Sequence, residues 1–141
     1  SGLIKCRKAK MLSATPRVCA SIIQQSQVML DVLIGSSLDP HERLEAEQVF
    51  PLPRIRINTE GERGGQVFPG GHYDAIKPDR KAIDSYGCGD TFAAGITAGI
   101  SAGWDIEKAI SLGCHYGAQC VTHLGPYETK GAVQTPYRDL I

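Results

Sequence analysis

The sequence lacks features that would indicate several large classes of protein. No apolar run approaches the ~18 residues that a membrane-spanning helix needs, and the first eight residues contain no signal-peptide apolar stretch. Charge of one sign is not in excess, because 15 basic residues balance 15 acidic ones. This balance argues against a protein that binds nucleic-acid phosphates. We therefore expect a cytoplasmic protein with neither a nucleic acid nor a membrane as its partner.

Metal-binding and disulfide patterns are also missing. The chain has 5 cysteines, an odd number, and no two of them have CxxC spacing. The 4 histidines are scattered without HxH or HExxH spacing. These patterns argue against a zinc site and a disulfide framework and favour reduced thiols. With 42% hydrophobic and 21% charged residues, the chain is expected to form a packed core in one domain.

The hydrophobic patterns predict a mixture of strands and helices. The apolar run 28–34 predicts a strand buried on both faces, and residues 54–59 alternate as a strand does. After a glycine turn, residues 66–68 predict a short return strand, and residues 72–76 alternate again. Helices are predicted within residues 1–30, with Pro16 near the first turn, and just after Asp39. Stronger helical patterns cover residues 90–102 and 105–120. The fold class is therefore α/β, with too few elements for a complete doubly wound sheet.

Glycines recur at intervals of four in the first of these two strong helices, at Gly95, Gly99 and Gly103. Each interior glycine costs ~1 kcal/mol relative to alanine. We expect a neighbouring helix or sheet to approach this helix closely and so offset that cost.

The stretch DSYGCGDTF at residues 84–92 is the most informative one. Gly87 and Gly89 would let backbone N–H groups approach a ligand, and the helix that follows adds unpaired N–H groups. Together they predict an anion site suited to a phosphate. Asp90 at its mouth would repel a phosphate, which makes sense if a reaction needs a base.

Two other interpretations of this stretch remain open. Asp90 could simply cap a helix in an ordinary loop, because neither GxxxxGK[ST] nor a complete GxGxxG occurs. Alternatively, Cys88 at a helix N-terminus would have a lowered pKa and could serve as the nucleophile of a thiol enzyme.

Residues 84–95, DSYGCGDTFAAG, resemble the C-terminal signature D-[ST]-x-G-[AC]-G-D-x-F-x-x-G of the ribokinase-like, or phosphofructokinase-B type, carbohydrate kinases. The turn TEGERG at residues 59–64 resembles the T-x-G-x-x-G turn of that family, and residues 120–125 resemble its ending after the second helix. The resemblance implies a three-layer sandwich with a mostly parallel sheet flanked by helices. It also implies that residues 1–141 are the C-terminal, nucleotide-binding part, without the N-terminal sugar-binding half and lid.

The same resemblance implies a role for each matching residue. Asp90 would be the catalytic base, and the N–H groups of Gly87, Cys88 and Gly89 would form the anion hole for the γ-phosphate. The cofactors would be ATP and Mg²⁺, together with a monovalent cation such as K⁺. The remaining positions fall into two groups: Thr59, Gly61, Gly64 and Cys114 would contact the nucleotide, and Asp84 and Ser85 would lie at the monovalent cation.

One departure concerns the N-x-x-E motif, which supports magnesium in the family. The only asparagine of the chain, Asn58, does not fit that motif. Residues 36–39 and 39–42 are the nearest candidates, with Asp39 or Glu42 as the substitute acid. A capped surface helix is the alternative interpretation of this pair.

The resemblance leaves three functions open. The first is an ATP-dependent sugar kinase, a phosphotransferase with an alcohol acceptor, of which this chain is a fragment. The second is a nucleoside kinase of the adenosine kinase type. The third is a non-catalytic nucleotide-binding or assembly fragment. The expected partner is a small-molecule sugar or nucleoside, and the chain could pair with a second copy or with the missing N-terminal half.

Overall fold

A computed structural model describes residues 2–17, 20–43 and 49–126, which form two compact units that divide between Ile76 and Lys77. The elements of the first unit are α1 (Gly2–Cys6), β1 (Ser13–Ala14), α2 (Ala20–Ser26), β2 (Val32–Ser36), β3 (Ile55–Thr59), β4 (Gly65–Phe68) and β5 (His72–Tyr73). A single 3₁₀ turn, Gly61–Arg63, joins β3 to β4. The second unit contains α3 (Cys88–Ser101) and α4 (Ile106–Cys120).

The first unit is built on one five-stranded sheet in the order β1-β2-β3-β4-β5. β1, β2 and β3 run parallel, with Ile34 opposite Ile57 and Ser36 opposite Thr59. The pairings of β3 with β4 and of β4 with β5 are antiparallel. The predicted α/β class is confirmed, but the expected mostly parallel sheet is a mixed one, because the glycine turn after Thr59 folds the chain straight back on itself.

The core of this unit lies around β2, whose first four residues are all buried. Four buried apolar side chains form a cluster that joins α2 to the sheet: Ile23, Leu30, Leu33 and Val49. The predicted strand 28–34 is displaced, since β2 begins only at Val32. The residues just before Val32 are not part of the strand. There, the Asp31 carboxylate accepts a hydrogen bond from the Leu12 N–H (2.8 Å) and pairs with Arg7 (2.7 Å).

The remaining expectations for this unit differ in their outcome. The strands predicted at 54–59 and 66–68 are confirmed as β3 and β4, whereas the alternation at 72–76 yields only the two residues of β5. The helix expected near Pro16 is α2, and the Ala20 N–H donates to the Pro16 carbonyl (3.2 Å). After Asp39 the described residues form a turn, in which the N–H groups of Glu42 and Arg43 donate to the Asp39 carbonyl. The rest of that predicted helix, residues 44–47, lies outside the described residues.

The second unit is a pair of closely packed helices, as both strong helical patterns predict. A Cβ placed on Gly95 would lie 2.9 Å from Gly113 Cα, and one on Gly99 would lie 3.0 Å from Ala109 Cα. The expected close approach is confirmed at Gly95 and Gly99, with α4 as the partner, but not at Gly103, which lies beyond the end of α3 with nothing within 4 Å of an added Cβ. Asp105 caps α4 as predicted, because its carboxylate accepts the Lys108 N–H (2.8 Å).

Candidate active site

The loop that leads into α3 takes its shape from Gly87. This residue is the N-cap of α3 and has φ 83°, in the left-handed region that favours glycine. A Cβ at Gly87 would also lie 2.7 Å from the Cβ of Pro126. Because the helix begins at Cys88, two residues earlier than predicted, Asp90 lies in the first turn of α3 instead of capping it. The capping alternative is therefore wrong.

Backbone donors are exposed at the start of α3. Among the described residues, the N–H groups of Gly87, Gly89 and Asp90 have no hydrogen-bond acceptor. The Cys88 N–H does have one, since it donates to the Ser85 carbonyl (3.2 Å). Unpaired N–H groups at a helix start carry partial positive charge and can hold an anion. In this structure the N–H groups that can hold an anion are those of Gly89 and Asp90, together with that of the neighbouring Gly87.

Gly89 and Asp90 face open space. Nothing lies within 4 Å of a Cβ placed on Gly89, and both residues are exposed. The Asp90 carboxylate makes neither a hydrogen bond nor an ion pair with any residue that the structure describes. Gly87 is thus required by the fold, whereas packing does not require a glycine at position 89. A carboxylate beside free N–H groups can accept a proton next to a bound anion.

The carboxylate of Asp84 ties this loop to the chain beyond α4. Its Oδ1 accepts the Tyr86 N–H (2.9 Å), and its Oδ2 accepts the Gly125 N–H (3.1 Å). This places Pro126, the next residue, where it can contact Gly87. Both carboxylate oxygens of Asp84 thus accept hydrogen bonds from backbone N–H groups. The carbonyl of the exposed Ser85 accepts a hydrogen bond from the Cys88 N–H. The arrangement fits a structural clamp better than the monovalent-cation site that the resemblance implies, and we assign no step to such a cation.

Cys88 is not the activated thiol that its place at a helix start suggested. Burial, a side-chain hydrogen bond with Cys120 and the nearby charge of Asp84 raise the pKa of the Cys88 thiol to about 12. Its Sγ donates to the Asp84 carbonyl (3.8 Å). At neutral pH the thiol is therefore protonated and a weak nucleophile. The thiol-enzyme alternative therefore lacks the lowered pKa on which it rested.

In the first unit, the turn after β3 is tightly constrained. The Glu60 N–H donates to the Gly64 carbonyl (2.7 Å), and the Gly64 N–H donates to the Gly61 carbonyl (3.1 Å). Gly61 and Gly64 both have positive φ, 64° and 83°. A Cβ on Gly64 would collide with the Tyr73 carbonyl, so a glycine is required there, while Gly61 is exposed. Thr59 ends β3 and accepts the Ser37 N–H (2.9 Å) at its carbonyl.

Asp39 and Glu42 are brought together at the end of β2, but with a cation of the chain between them. Arg17 lies 2.9 Å from Asp39 Oδ2 and 3.7 Å from Glu42 Oε1. The other Glu42 oxygen accepts the Ser36 N–H (3.0 Å). Arg17 pairs with both carboxylates, although its single positive charge offsets only one of the two negative charges, and the described residues contain no group of three or more potential metal ligands. The pair does not fit a magnesium site, and we assign no step to one there.

Two further results concern the predicted residues and the chain as a whole. Cys114 lies in the middle of α4 and is 8% exposed. Arg17, Gly125 and Pro126 were not predicted, because each acts on a residue far away in sequence and no local pattern marks it.

Within residues 2–17, 20–43 and 49–126, no helix is long and apolar enough to cross a membrane.

Comparison with known proteins identifies a family. A sequence profile described as "pfkB family carbohydrate kinase" matches residues 11–131. The chain is 34% identical over 74 residues to acarbose 7(IV)-phosphotransferase of Actinoplanes sp., covering 49% of this chain and 25% of that protein. It is 38% identical over 86 residues to adenosine kinase of Saccharomyces cerevisiae, covering 54% of this chain and 24% of that protein.

The fold comparison agrees with the sequence comparison. The crystal structure of ribokinase from Thermotoga maritima matches with a TM-score of 0.66 at 23% identity, over 88% of this chain and 47% of that one. The ribokinase-like fold is therefore confirmed. The chain spans about a quarter of the length of the curated relatives it matches, which are 25% and 24% covered.

Proposed function

Because this chain belongs to the pfkB family of carbohydrate kinases, we propose that it is the nucleotide-binding part of an ATP-dependent sugar kinase. One observation carries the proposal: the exposed Asp90 carboxylate has no partner among the described residues and lies beside the free N–H groups of Gly89 and Asp90 in the first turn of α3. A phosphoryl-transfer site needs both parts, a base for the acceptor and donors for the phosphate.

In the proposed reaction, a sugar hydroxyl oxygen attacks the γ-phosphorus of ATP. The new O–P bond forms as the bond to the β–γ bridging oxygen breaks, and ADP leaves. The hydroxyl proton passes to a carboxylate oxygen of Asp90. The free N–H groups of Gly89 and Asp90, with that of Gly87, hold the charge that develops on the phosphoryl oxygens. ATP is taken as its magnesium complex, so the metal arrives with the substrate.

The other predicted residues have lesser parts in the proposal. Thr59, Gly61 and Gly64 contact the nucleotide, as the resemblance implies, and the hydrogen bonds within their turn support this because they give its backbone a defined shape. The role of Cys88 is to hold the loop through its thiol, since its N–H is already engaged. Cys114 is proposed to border the nucleotide from within α4.

A nucleoside kinase is the second candidate, favoured by the 38% identity to an adenosine kinase. The third is a non-catalytic nucleotide-binding or assembly role, which the sequence leaves open. Cytoplasmic location and pairing with a second copy, or with an N-terminal half, stay predictions of the sequence.

Two measurements on the chain separate these candidates. Calorimetric titration with Mg-ATP tests nucleotide binding, and mass spectrometry of reactions with ribose, fructose, acarbose or adenosine tests phosphoryl transfer. A phosphorylated sugar supports the first candidate, and phosphorylated adenosine alone supports the second. Mg-ATP binding with no product from any acceptor supports the third. Absence of Mg-ATP binding by the folded chain would contradict the proposed nucleotide site.

A further inference from the structure

One face of the antiparallel part of the sheet carries polar side chains and one aromatic ring. Residues directly opposite each other in antiparallel strands share a face, and three such pairs bring five side chains together here. They are Arg56 and Asn58 of β3, Gln66 and Phe68 of β4, and His72 of β5. The opposite face carries Ile57 and Val67, which are buried. The polar face is thus the side on which β3, β4 and β5 can meet a ligand.

The guanidinium of Arg56 is held in place on this face but is left without an acid. Its central carbon lies 4.5 Å from the centroid of the Phe68 ring. The Arg56 side chain forms no ion pair with any residue that the structure describes. Arg54, two residues earlier, is 67% exposed and lies 3.6 Å from Asp31. The more exposed of the two arginines therefore has an acidic partner, and the half-buried one has none.

The Nε atom of Arg56 makes this arrangement more than an ordinary solvated face. A polar outer face is common in antiparallel sheets, and an arginine that reaches into water satisfies its donors there. The Arg56 Nε is instead buried and has no hydrogen-bond partner among the described residues. Buried donors are nearly always paired in folded proteins, with protein, water or a bound ion. An acceptor that reaches this nitrogen would satisfy it.

The chemistry of the acceptor follows from the donors present. A guanidinium keeps its positive charge at physiological pH, and its N–H groups match the oxygens of a carboxylate or phosphate. Asn58 follows two residues later on the same face, and its half-buried amide has no partner among the described residues, so it can donate a further hydrogen bond. A single unpaired cation calls for a single anionic group, which a small molecule supplies and a nucleic acid exceeds.

We propose that Arg56, Asn58 and Phe68 form a second anion site, which binds a small metabolite that carries a carboxylate or a phosphate. The Arg56 guanidinium binds the oxyanion, the Asn58 amide donates to it, and the Phe68 ring holds the guanidinium in position. Gln66 and His72 are joined to each other (3.3 Å) and border the site. The site uses neither Asp90 nor the free N–H groups of α3, so it is independent of the proposed function.

The Nε–H resonance of Arg56 tests the site directly in ¹H–¹⁵N NMR spectra of the chain. Inorganic phosphate and succinate are added in separate titrations, with sodium chloride at matched ionic strength as the control. We expect a saturable shift of this resonance with phosphate or succinate and none with chloride. A larger response to phosphate assigns a phosphate-bearing ligand, and a larger response to succinate assigns a carboxylate. No saturable shift with either anion, or an equal shift with chloride, would overturn the proposal.

Variants test which side chains bind the anion. Arg56→Gln should raise the Kd of the preferred anion at least about tenfold. Arg54→Gln is the matched control and should leave the Kd unchanged, because Arg54 already pairs with Asp31. Asn58→Ala removes only the amide and should raise the Kd several-fold, so it keeps the test available if Arg56→Gln does not fold. A Kd equal to that of the wild type in Arg56→Gln, or in Asn58→Ala where that is the folded variant, would contradict the site.

The same spectra separate this site from the proposed phosphate site. Phosphate also has access to the free N–H groups of Gly89 and Asp90, and their amide resonances are followed alongside that of Arg56. A response at Arg56 without one at Gly89 and Asp90 would support the second site and count against the proposed function. A response at Gly89 and Asp90 alone would overturn the second site and leave the proposed function standing.

Discussion

Three acids of the first unit have partners within the chain, whereas the acid in the first turn of α3 has none among the described residues. Asp31 pairs with Arg7, and Asp39 and Glu42 share Arg17. Asp90 has no such partner among the described residues and is exposed. A charge that is balanced within the chain stabilises structure, whereas a charge left unbalanced beside free backbone donors is available to a ligand. The sequence proposed Asp90 as the catalytic base and Asp39 or Glu42 as a support for magnesium, and the structure adds the partners of each carboxylate.

The sharpest way to break this comparison is to neutralise Asp90. Asp90→Asn keeps the shape of the side chain but removes the base, so we expect kcat to fall by a factor of roughly 100 to 10,000. Glu107→Gln is the matched control, because Glu107 is also an acid in the first turn of a helix. It should leave kcat near the wild-type value. The measurement is ADP release with whichever acceptor is phosphorylated, and equal kcat values for the two variants would rule out the role of Asp90.

The two glycines of the loop give the next largest difference. Gly87→Ala should lower the free energy of unfolding by about 1–2 kcal/mol for the left-handed backbone alone, with a further loss from the contact with Pro126. Gly89→Ala should leave stability unchanged or slightly higher, because its surroundings are open, but should weaken Mg-ATP binding. Urea denaturation and calorimetry measure the two effects. A large loss of stability in Gly89→Ala would contradict the assignment of that position to the ligand.

Asp31 represents the acids that are paired within the chain, and its contribution can be measured as a dependence of stability on pH. Burial raises the pKa of Asp31, but the hydrogen bonds from Arg7 and the Leu12 N–H and the charges of Arg7 and Arg54 together lower it below its ordinary value of 3.8. A lowered pKa in the folded state means that the stabilisation is present above pH 3.8 and is lost as pH falls through the folded-state pKa. Asp31→Asn should cost about 1–3 kcal/mol at pH 7. In urea denaturation between pH 7 and pH 2, its stability should depend less on pH than that of the wild type, and parallel curves would contradict this account.

The smallest expected effect is at Arg17. Its side chain is 57% exposed, so Arg17→Ala should cost no more than about 1 kcal/mol of stability. Asp39→Asn should likewise leave the affinity for Mg-ATP unaltered, because the carboxylate is balanced by Arg17 and not by magnesium. Calorimetry in magnesium-containing buffer measures this. A several-fold loss of Mg-ATP affinity in Asp39→Asn would restore the magnesium role that the sequence suggested.

Much of the fold could be predicted because its strongest patterns are local. The alternation at residues 54–59 and the capped helical pattern from Asp105 depend on neighbours in sequence, and both are confirmed. β1 could not be predicted, since its two residues are strand only because β2 pairs with them. The start of α3 was misplaced because Gly87 caps the helix through its backbone conformation, without a capping side chain to mark it.

The candidate site shows the same division. The Gly87–Asp90 stretch carries its pattern in four consecutive residues, so sequence alone found it. The protonation and the bonding partners of the candidate side chains did not follow from that pattern, because they depend on residues distant in sequence. Burial, together with Cys120, raises the pKa of the Cys88 thiol. The Gly125 N–H donates to the Asp84 carboxylate, and Arg17 pairs with Asp39 across 22 positions. Such pairings are set by tertiary packing and leave no periodic signal.

The most direct test of the central claim is to observe the backbone amides of the loop while Mg-ATP binds. In ¹H–¹⁵N NMR spectra of the chain, the account predicts that the Gly89 and Asp90 amides shift on addition of Mg-ATP. The amide of Lys108, which is already bonded to Asp105 at the start of α4, should stay unchanged. Saturable binding of Mg-ATP that shifts neither Gly89 nor Asp90 would contradict the claim that these free N–H groups, beside an unbalanced carboxylate, form the phosphate site.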